Sequence, residues 1–204
     1  MIIGLTGGIG SGKSTIAKQL RQMGYEVYDT DSEAKRLIVE DPYVREQIII
    51  LFGPEAYQGG VYQTQFVAQQ VFADKELLSQ LNAIVHPAVR RDILSRLADS
   101  MILDGRSNSE QFVDNSQQSF FFIECAILYT AHLDDICDKV VAVTAPEEVR
   151  LERVIERDHS DVTKVLARMR IQDVEMDLKR ADIIINNDGN APISVLCEEI
   201  ITQI

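Results

Sequence analysis

Gly4-Leu5-Thr6-Gly7-Gly8-Ile9-Gly10-Ser11-Gly12-Lys13-Ser14-Thr15 is the stretch that decides the fold. Within it, Gly7 to Ser14 match the pattern G-x-x-x-x-G-K-[S/T]. Upstream, residues 1–6 (MIIGLT) read as a short buried strand running straight into glycines. Downstream, Lys13 to Met23 place Ile16, Ala17 and Leu20 on one helical face, with Gly24 as a stop. Strand, glycine-rich loop and helix together form the setting in which this pattern cradles phosphate. Glycines admit positive φ and let backbone N–H groups converge on an anion. The helix that follows turns its partial positive end to the same place. Lys13 supplies a full charge for the outer phosphates, and Ser14 a hydroxyl for a Mg²⁺ that bridges them. By chance the pattern arises in on the order of one random chain of this length in a hundred. Gly10, Ser11, Gly12, Lys13, Ser14 and Thr15 are therefore candidate triphosphate-binding residues.

Beyond the loop, strand and helix patterns alternate. Tyr25–Tyr28 reads as a second strand ending at Asp29-Thr30-Asp31, and Ser32–Glu40 as a helix. Residues 43–100 are mostly helical in pattern, broken at Gly53-Pro54 and Gly59-Gly60. Pro87 within them, having no N–H to donate, is expected to begin or kink a helix. Residues 104–118 (DGRSNSEQFVDNSQQ) are polar and turn-rich, which predicts a surface loop. Phe120–Glu124, Lys139–Thr144 and Asp182–Asn186 read as three further strands. Helices are expected over Pro146–Arg157, from Val162, and over Ala191–Ile204. Strands separated by helices imply a parallel sheet with helices on both faces. Near-continuous apolar runs such as VVAVT suit a sheet covered on both sides. The expected architecture is thus α/β, a P-loop NTPase fold with a five-stranded parallel sheet.

Composition bounds the function. The 204 residues carry 20 Lys plus Arg against 32 Asp plus Glu, a formal net charge of −12. A surface this acidic argues against coating nucleic acid or an anionic membrane by bulk attraction. A local site can still oppose the global sign for a small anionic ligand. Hydrophobic residues make up 46%, enough for a sizeable core. Three cysteines, Cys125, Cys137 and Cys197, are widely spaced with no CxxC, so neither a disulfide framework nor a zinc site is expected. That usage fits a reducing, cytoplasmic setting. No apolar run approaches a membrane span, and the N-terminus lacks the basic region of a signal peptide. Nothing in the pattern specifies an oligomer.

A GTPase switch needs a guanine-reading Asn-Lys-x-Asp and an Asp-x-x-Gly, and neither occurs. A small kinase suits the length. Further motifs then converge on one family: the chain resembles dephospho-coenzyme A kinases. The loop with its Thr-Gly-Gly lead-in is similar to theirs, as is Asp29-Thr30-Asp31 followed by Ala34. Leu81-Asn82-Ala83-Ile84-Val85-His86-Pro87 resembles the family's Leu-x-x-Ile-x-His-Pro, and Arg168 to Gln172 its Arg-x-x-x-Gln. Ala181-Asp182 through Asn187-Asp188-Gly189 resembles its Ala-Asp…Asn-x-Gly. The matches keep the family's order over roughly residues 1–190. Three departures stand out, one being that the polar stretch 104–118 is longer than the family needs. Thr130 occupies the position of a family Glu after the third strand, and Asn186 that of a common Asp.

The resemblance implies phosphorylation of the ribose 3′-hydroxyl of dephospho-CoA by ATP, with Mg²⁺. Other small-molecule P-loop kinases, acting on nucleoside monophosphates, gluconate or shikimate, are the alternative. It also implies a nucleotide-binding core (1–32, 119–145 and 173–204), a helical acceptor-binding insert (33–100) and a lid region (146–172). Asp31 becomes the candidate base or hydroxyl-orienting group. Asp29 is its rival, and either could cap a helix beginning near Ser32. Arg153 and Arg157, i,i+4 on one helix face, match lid arginines or else form a solvated face paired with Glu147, Glu148, Glu152 and Glu156. Lys13, Arg153 and Arg157 join Asp31 as catalytic candidates, and Arg168 joins the ATP-binding set. Thr6, Gly8, Asp31 and His86 are the candidate acceptor contacts, His86 having a structural role as its equal alternative.

Overall fold

The computed structural model describes residues 1–105, 120–171 and 174–204. The predicted surface loop at 104–118 lies outside these from residue 106 on. In chain order the elements begin with β1 (Ile2–Thr6), α1 (Lys13–Gln22), β2 (Glu26–Asp29), α2 (Thr30–Glu40) and α3 (Pro42–Phe52). A two-strand hairpin, β3 (Tyr57–Gln58) and β4 (Val61–Tyr62), precedes α4 (Thr64–Ala73) and the long α5 (Lys75–Gly105). Then come β5 (Phe121–Glu124), β6 (Lys139–Thr144), α6 (Glu147–Asp158), α7 (Val162–Ile171), α8 (Val174–Arg180), β7 (Ile183–Asn186) and α9 (Ile193–Gln203).

Two compact units result: Met1–Asp29 with Asn115–Ile204, and Thr30–Asp114. The first holds an all-parallel sheet in the order β2-β5-β1-β6-β7. This is the five-stranded α/β sheet expected from the sequence. Ile3 and Leu5 of β1, Phe122 of β5, Val141 and Val143 of β6 and Ile185 of β7 are buried against Ile16, Ala17 and Leu20 of α1 and Leu196, Cys197 and Ile200 of α9. On the other face, Leu128 and the Cys137 thiol crowd so close to Gly4 that a side chain there would collide. β1 lies next to β6, and the two send their chain connections to opposite sides, β1 toward β2 and β6 toward β7. A ligand crevice at the carboxyl ends of the strands is expected at such a switch point, and there β1 hands over to the glycine loop.

The described residues of the second unit are helical apart from connecting turns and the β3–β4 hairpin, which the sequence reading did not anticipate because each strand has only two residues. α3 starts where Asp41 caps it, its carboxylate accepting from the N–H groups of Tyr43 (2.8 Å) and Val44 (3.1 Å), with Pro42 in the first turn. Three boundaries differ from expectation. Pro87 does not begin a helix: it sits inside α5, whose flanking residues Val85, Ala88, Val89 and Ile93 are buried, so packing sustains the helix past the missing N–H. Asp104 and Gly105 close α5 rather than opening a loop. α2 begins at Thr30, so Asp31 lies within its first turn, where the helix dipole favours a carboxylate.

All three cysteines are free thiols. Burial pushes Cys137 up to about 12 and Cys197 up to about 11, and Cys125 is 3% exposed. Thiolate is the reactive form. A thiol-specific chromogenic reagent at pH 8 should therefore label none of the three in the native protein and all three in denaturant. Fast native labelling of Cys125 or Cys197 would contradict its burial, and of the half-buried Cys137 its raised thiol pKa.

Candidate active site

The loop leaves β1 after Thr6 and enters α1 at Lys13. The Ser11 N–H closes a turn onto the Gly8 carbonyl (3.1 Å), and the N–H groups of Thr15 and Ile16 bond the Gly12 carbonyl (3.0 and 3.1 Å). Among the described residues, the N–H groups of Gly12, Lys13 and Ser14 donate to no main-chain carbonyl. Three open donors at the positive end of α1 form an anion site. The Oγ atoms of Thr6 and Ser11 are buried beside this turn and have no hydrogen-bond partner among the described residues. At Gly10 (φ +80°) a Cβ would strike the Arg150 carbonyl, so the first turn of α6 rests directly on the loop. Ile9 at the loop tip packs with Leu151, Val154 and Ile155 of α6 and Val165 and Met169 of α7.

Glu124, the last residue of β5, organises the charge. It is 5% exposed. Its Oε1 accepts from Lys13 Nζ at 3.0 Å and from Ser14 Oγ at 2.7 Å, and Arg21 Nη2 stands 4.0 Å from Oε2. Sequence reasoning missed this residue. The signal was present, an acid closing the otherwise apolar run Phe120–Ile123, but the run was read only as strand. Asp29 stands in register with Glu124 across the β2–β5 pair, which puts the two carboxylates side by side at the carboxyl edge of the sheet.

The arginines divide. Arg153 reaches the loop: its Nη1 donates to the carbonyls of Asn187 (3.0 Å), Gly10 and Ser11 (both 3.4 Å). Arg157 and Arg168 instead converge on Asp158, at 2.7 and 3.3 Å, with side chains 62% and 51% exposed. The hydrogen bonds from Arg157, supported by Arg168, hold the Asp158 carboxyl down to about 2. Gln172, the end of the Arg-x-x-x-Gln match, lies outside the described residues.

Asp31 and His86 belong to the second unit, on α2 and α5. Asp31 is exposed and His86 half-buried. Between these two helices, Arg36 Nη2 donates to Asp92 at 2.7 Å and Arg96 Nη2 to Glu33 at 2.7 Å. Arg36 also pairs with Glu33 and Glu40, and Arg96 with Asp92. Hydrogen bonds to Glu33 and Asp92 push the Arg36 guanidinium above its ordinary value, so it stays charged at any working pH. The network fixes the first turn of α2, and Asp31 with it, against α5.

The family model for dephospho-CoA kinase matches residues 1–192. The chain belongs to the dephospho-CoA kinase family. A dephospho-CoA kinase from Porphyromonas gingivalis is 36% identical over 179 residues, covering 88% of this chain and 81% of its own. A crystal structure from Thermus thermophilus superposes with a TM-score of 0.79 at 33% identity, covering 99% of this chain and 96% of the other. Dephospho-CoA kinase from Campylobacter jejuni gives 0.68 at 25% identity, with the same coverage. Membership makes the chain an ATP-dependent kinase, in keeping with its phosphate loop. Among the described residues, no helix is long and apolar enough to cross a membrane.

Proposed function

We propose that the chain transfers the γ-phosphoryl group of ATP to the ribose 3′-hydroxyl of dephospho-CoA, giving coenzyme A and ADP. The observation that carries the reading is the Lys13–Glu124–Ser14 constellation at the end of a phosphate loop, inside a chain matched by the family over residues 1–192.

Phosphoryl transfer to an alcohol asks for positioning, charge stabilisation and a proton acceptor. Gly10 to Thr15 bind the ATP phosphates through loop N–H groups and the Lys13 ammonium. Lys13 has three donors, so it contacts phosphate while keeping Glu124. Thr6 and Gly8 border the acceptor, and the buried Thr6 hydroxyl, without a partner among the described residues, supports that role. Asp31 accepts the proton of the attacking hydroxyl, whose oxygen bonds to phosphorus as the bond to ADP breaks. His86 contacts the CoA moiety within an acceptor unit at 33–100. Arg157 and Arg168 serve as lid cations over the transferred group within residues 146–172, with Arg168 on the ATP side. Asp158 holds them until substrate competes for them. Arg153, a catalytic candidate by resemblance, adds its charge from the carbonyl side of the loop.

The donor set fits Mg²⁺. Hard oxygen ligands suit it, and it keeps several waters beside few protein ligands. Ser14 would hold it. Because the Ser14 hydroxyl donates to Glu124, its lone pairs are turned outward, and Glu124 orients the ligand. When bound, Mg²⁺ would supply positive charge to offset that of the ATP phosphates. Three cysteines with no disulfide among them support a reducing, cytoplasmic location.

A coupled assay of ADP release tests the reading. Release is expected with dephospho-CoA and not with shikimate, gluconate or a nucleoside monophosphate. The reverse selectivity, or no response to any acceptor, would count against it. In the same assay Arg157→Ala and Arg168→Ala should each lower kcat by about 10²-fold. An unchanged kcat would assign them to a solvated ion pair.

A further inference from the structure

Asn187 is the residue immediately after β7, and only 3% of it is exposed. Its N–H donates to the Thr144 carbonyl at the end of β6 (2.7 Å), which fixes its backbone to the sheet. Its side chain reaches the phosphate loop. Nδ2 donates to the Ser11 carbonyl at 2.8 Å. Oδ1 accepts from Arg153 Nη2 at 3.4 Å, while Arg153 Nη1 donates to the Asn187 carbonyl at 3.0 Å. Chemistry sets the orientation of the amide: a guanidinium only donates and a carbonyl only accepts, so Oδ1 faces Arg153 and Nδ2 faces Ser11. The approach is close enough that a Cβ on Gly12 would collide with Nδ2, and Gly12 stands at φ +90°.

The Ser11 carbonyl thus has two donors, Asn187 Nδ2 and, at 3.4 Å, Arg153 Nη1. It shares its peptide group with the Gly12 N–H. A trans peptide is planar, so its C=O and N–H point in opposite directions. Holding the carbonyl from one side turns the Gly12 N–H to the other, toward the open donors at the start of α1. Polarising the carbonyl with a cation also strengthens that N–H as a donor. We propose that Asn187, supported by Arg153, is a positioning residue of the phosphate loop: it presets the Ser11–Gly12 peptide so that the Gly12 N–H faces the nucleotide phosphates before they arrive. This rests on the assignment of the loop to ATP.

Asn187→Asp tests it, because the replacement keeps the volume and exchanges a donor for an acceptor. A purely packing role makes Asp milder than Ala. The positioning role makes Asp at least as damaging, since a carboxylate oxygen would face the Ser11 carbonyl. For Asn187→Asp, calorimetric titration with ADP should show affinity lowered about tenfold or more. The KM for ATP should rise while the KM for dephospho-CoA stays unchanged, and the Gly12 ¹⁵N amide resonance should move. A folded Asn187→Asp with wild-type ADP affinity and an unmoved Gly12 resonance overturns the proposal. If the variant does not fold, the wild type decides. A through-hydrogen-bond coupling between Asn187 Nδ2 and the Ser11 carbonyl carbon should be present both without and with ADP. Its loss on ADP binding overturns the proposal. Absence of any ADP binding by the wild type instead overturns the ATP assignment, and the proposal with it.

Discussion

Asp31→Asn should bind ATP and dephospho-CoA with KM values within about threefold of wild type and turn over about 10²- to 10⁴-fold more slowly, the range attributed to a positioned proton acceptor. The replacement is nearly isosteric. The turn that carries residue 31 is held by Arg36 and Arg96 through Glu33 and Asp92, none of which changes. The loss should therefore fall on kcat rather than on folding. Single-turnover kinetics read it directly, since they separate chemistry from product release. Near-normal turnover would remove Asp31 as the base. Asp29→Asn is the comparison. Asp29 lies beside Glu124 at the sheet edge, and loss of rate there alone would move the proton-accepting role to the strand.

Glu124→Ala should cost about 3–5 kcal/mol of stability, because it strips a buried ammonium of its counter-charge. Lys13 and Glu124 side chains are 11% and 6% exposed, so solvent does little to screen the loss. Urea unfolding measures it, and a fall in Tm of about 10 °C should accompany it. Ser14 would lose its acceptor in the same variant, so nucleotide affinity should drop together with stability. Glu124→Gln keeps an acceptor for the Ser14 hydroxyl and should be milder on both counts. A Glu124→Ala protein within about 0.5 kcal/mol of wild type would show that the pair contributes little, as exposed pairs do.

These two carboxylates mark the limit of what the amino-acid order discloses. The loop was legible because its glycines, Lys13 and Ser14 are adjacent in sequence and their chemistry is local. The five strands were legible from apolar runs of the right length. Glu124 was not, because its partners lie 111 and 110 residues away and only β1–β5 pairing brings them together. Asn187 was noticed as part of a motif, yet its hold on Ser11 spans 176 residues. Pro87 left two readings open in the sequence, a helix start or an interior position, and only the packing of α5 decides for the interior. Arg153, Arg157 and Arg168 look alike in a sequence. Only the packing of α6 on the loop separates the one bonded to main-chain carbonyls from the two that share Asp158.

The loop's dependence on distant residues also bears on the order of synthesis. Gly7 to Ser14 are translated before either neighbour of β1, since strands β5 and β6 begin only at Phe121 and Lys139. The helical unit from Thr30 is made entirely in between, from contacts of its own. Arg150, Arg153 and Asn187, which press on or bond the loop, arrive later still. A nascent chain that stops short of Asn187 carries the complete motif without the amide that aims it. The loop is thus translated long before the residues that give it its working shape, and ATP has no finished loop to engage until Asn187 has emerged.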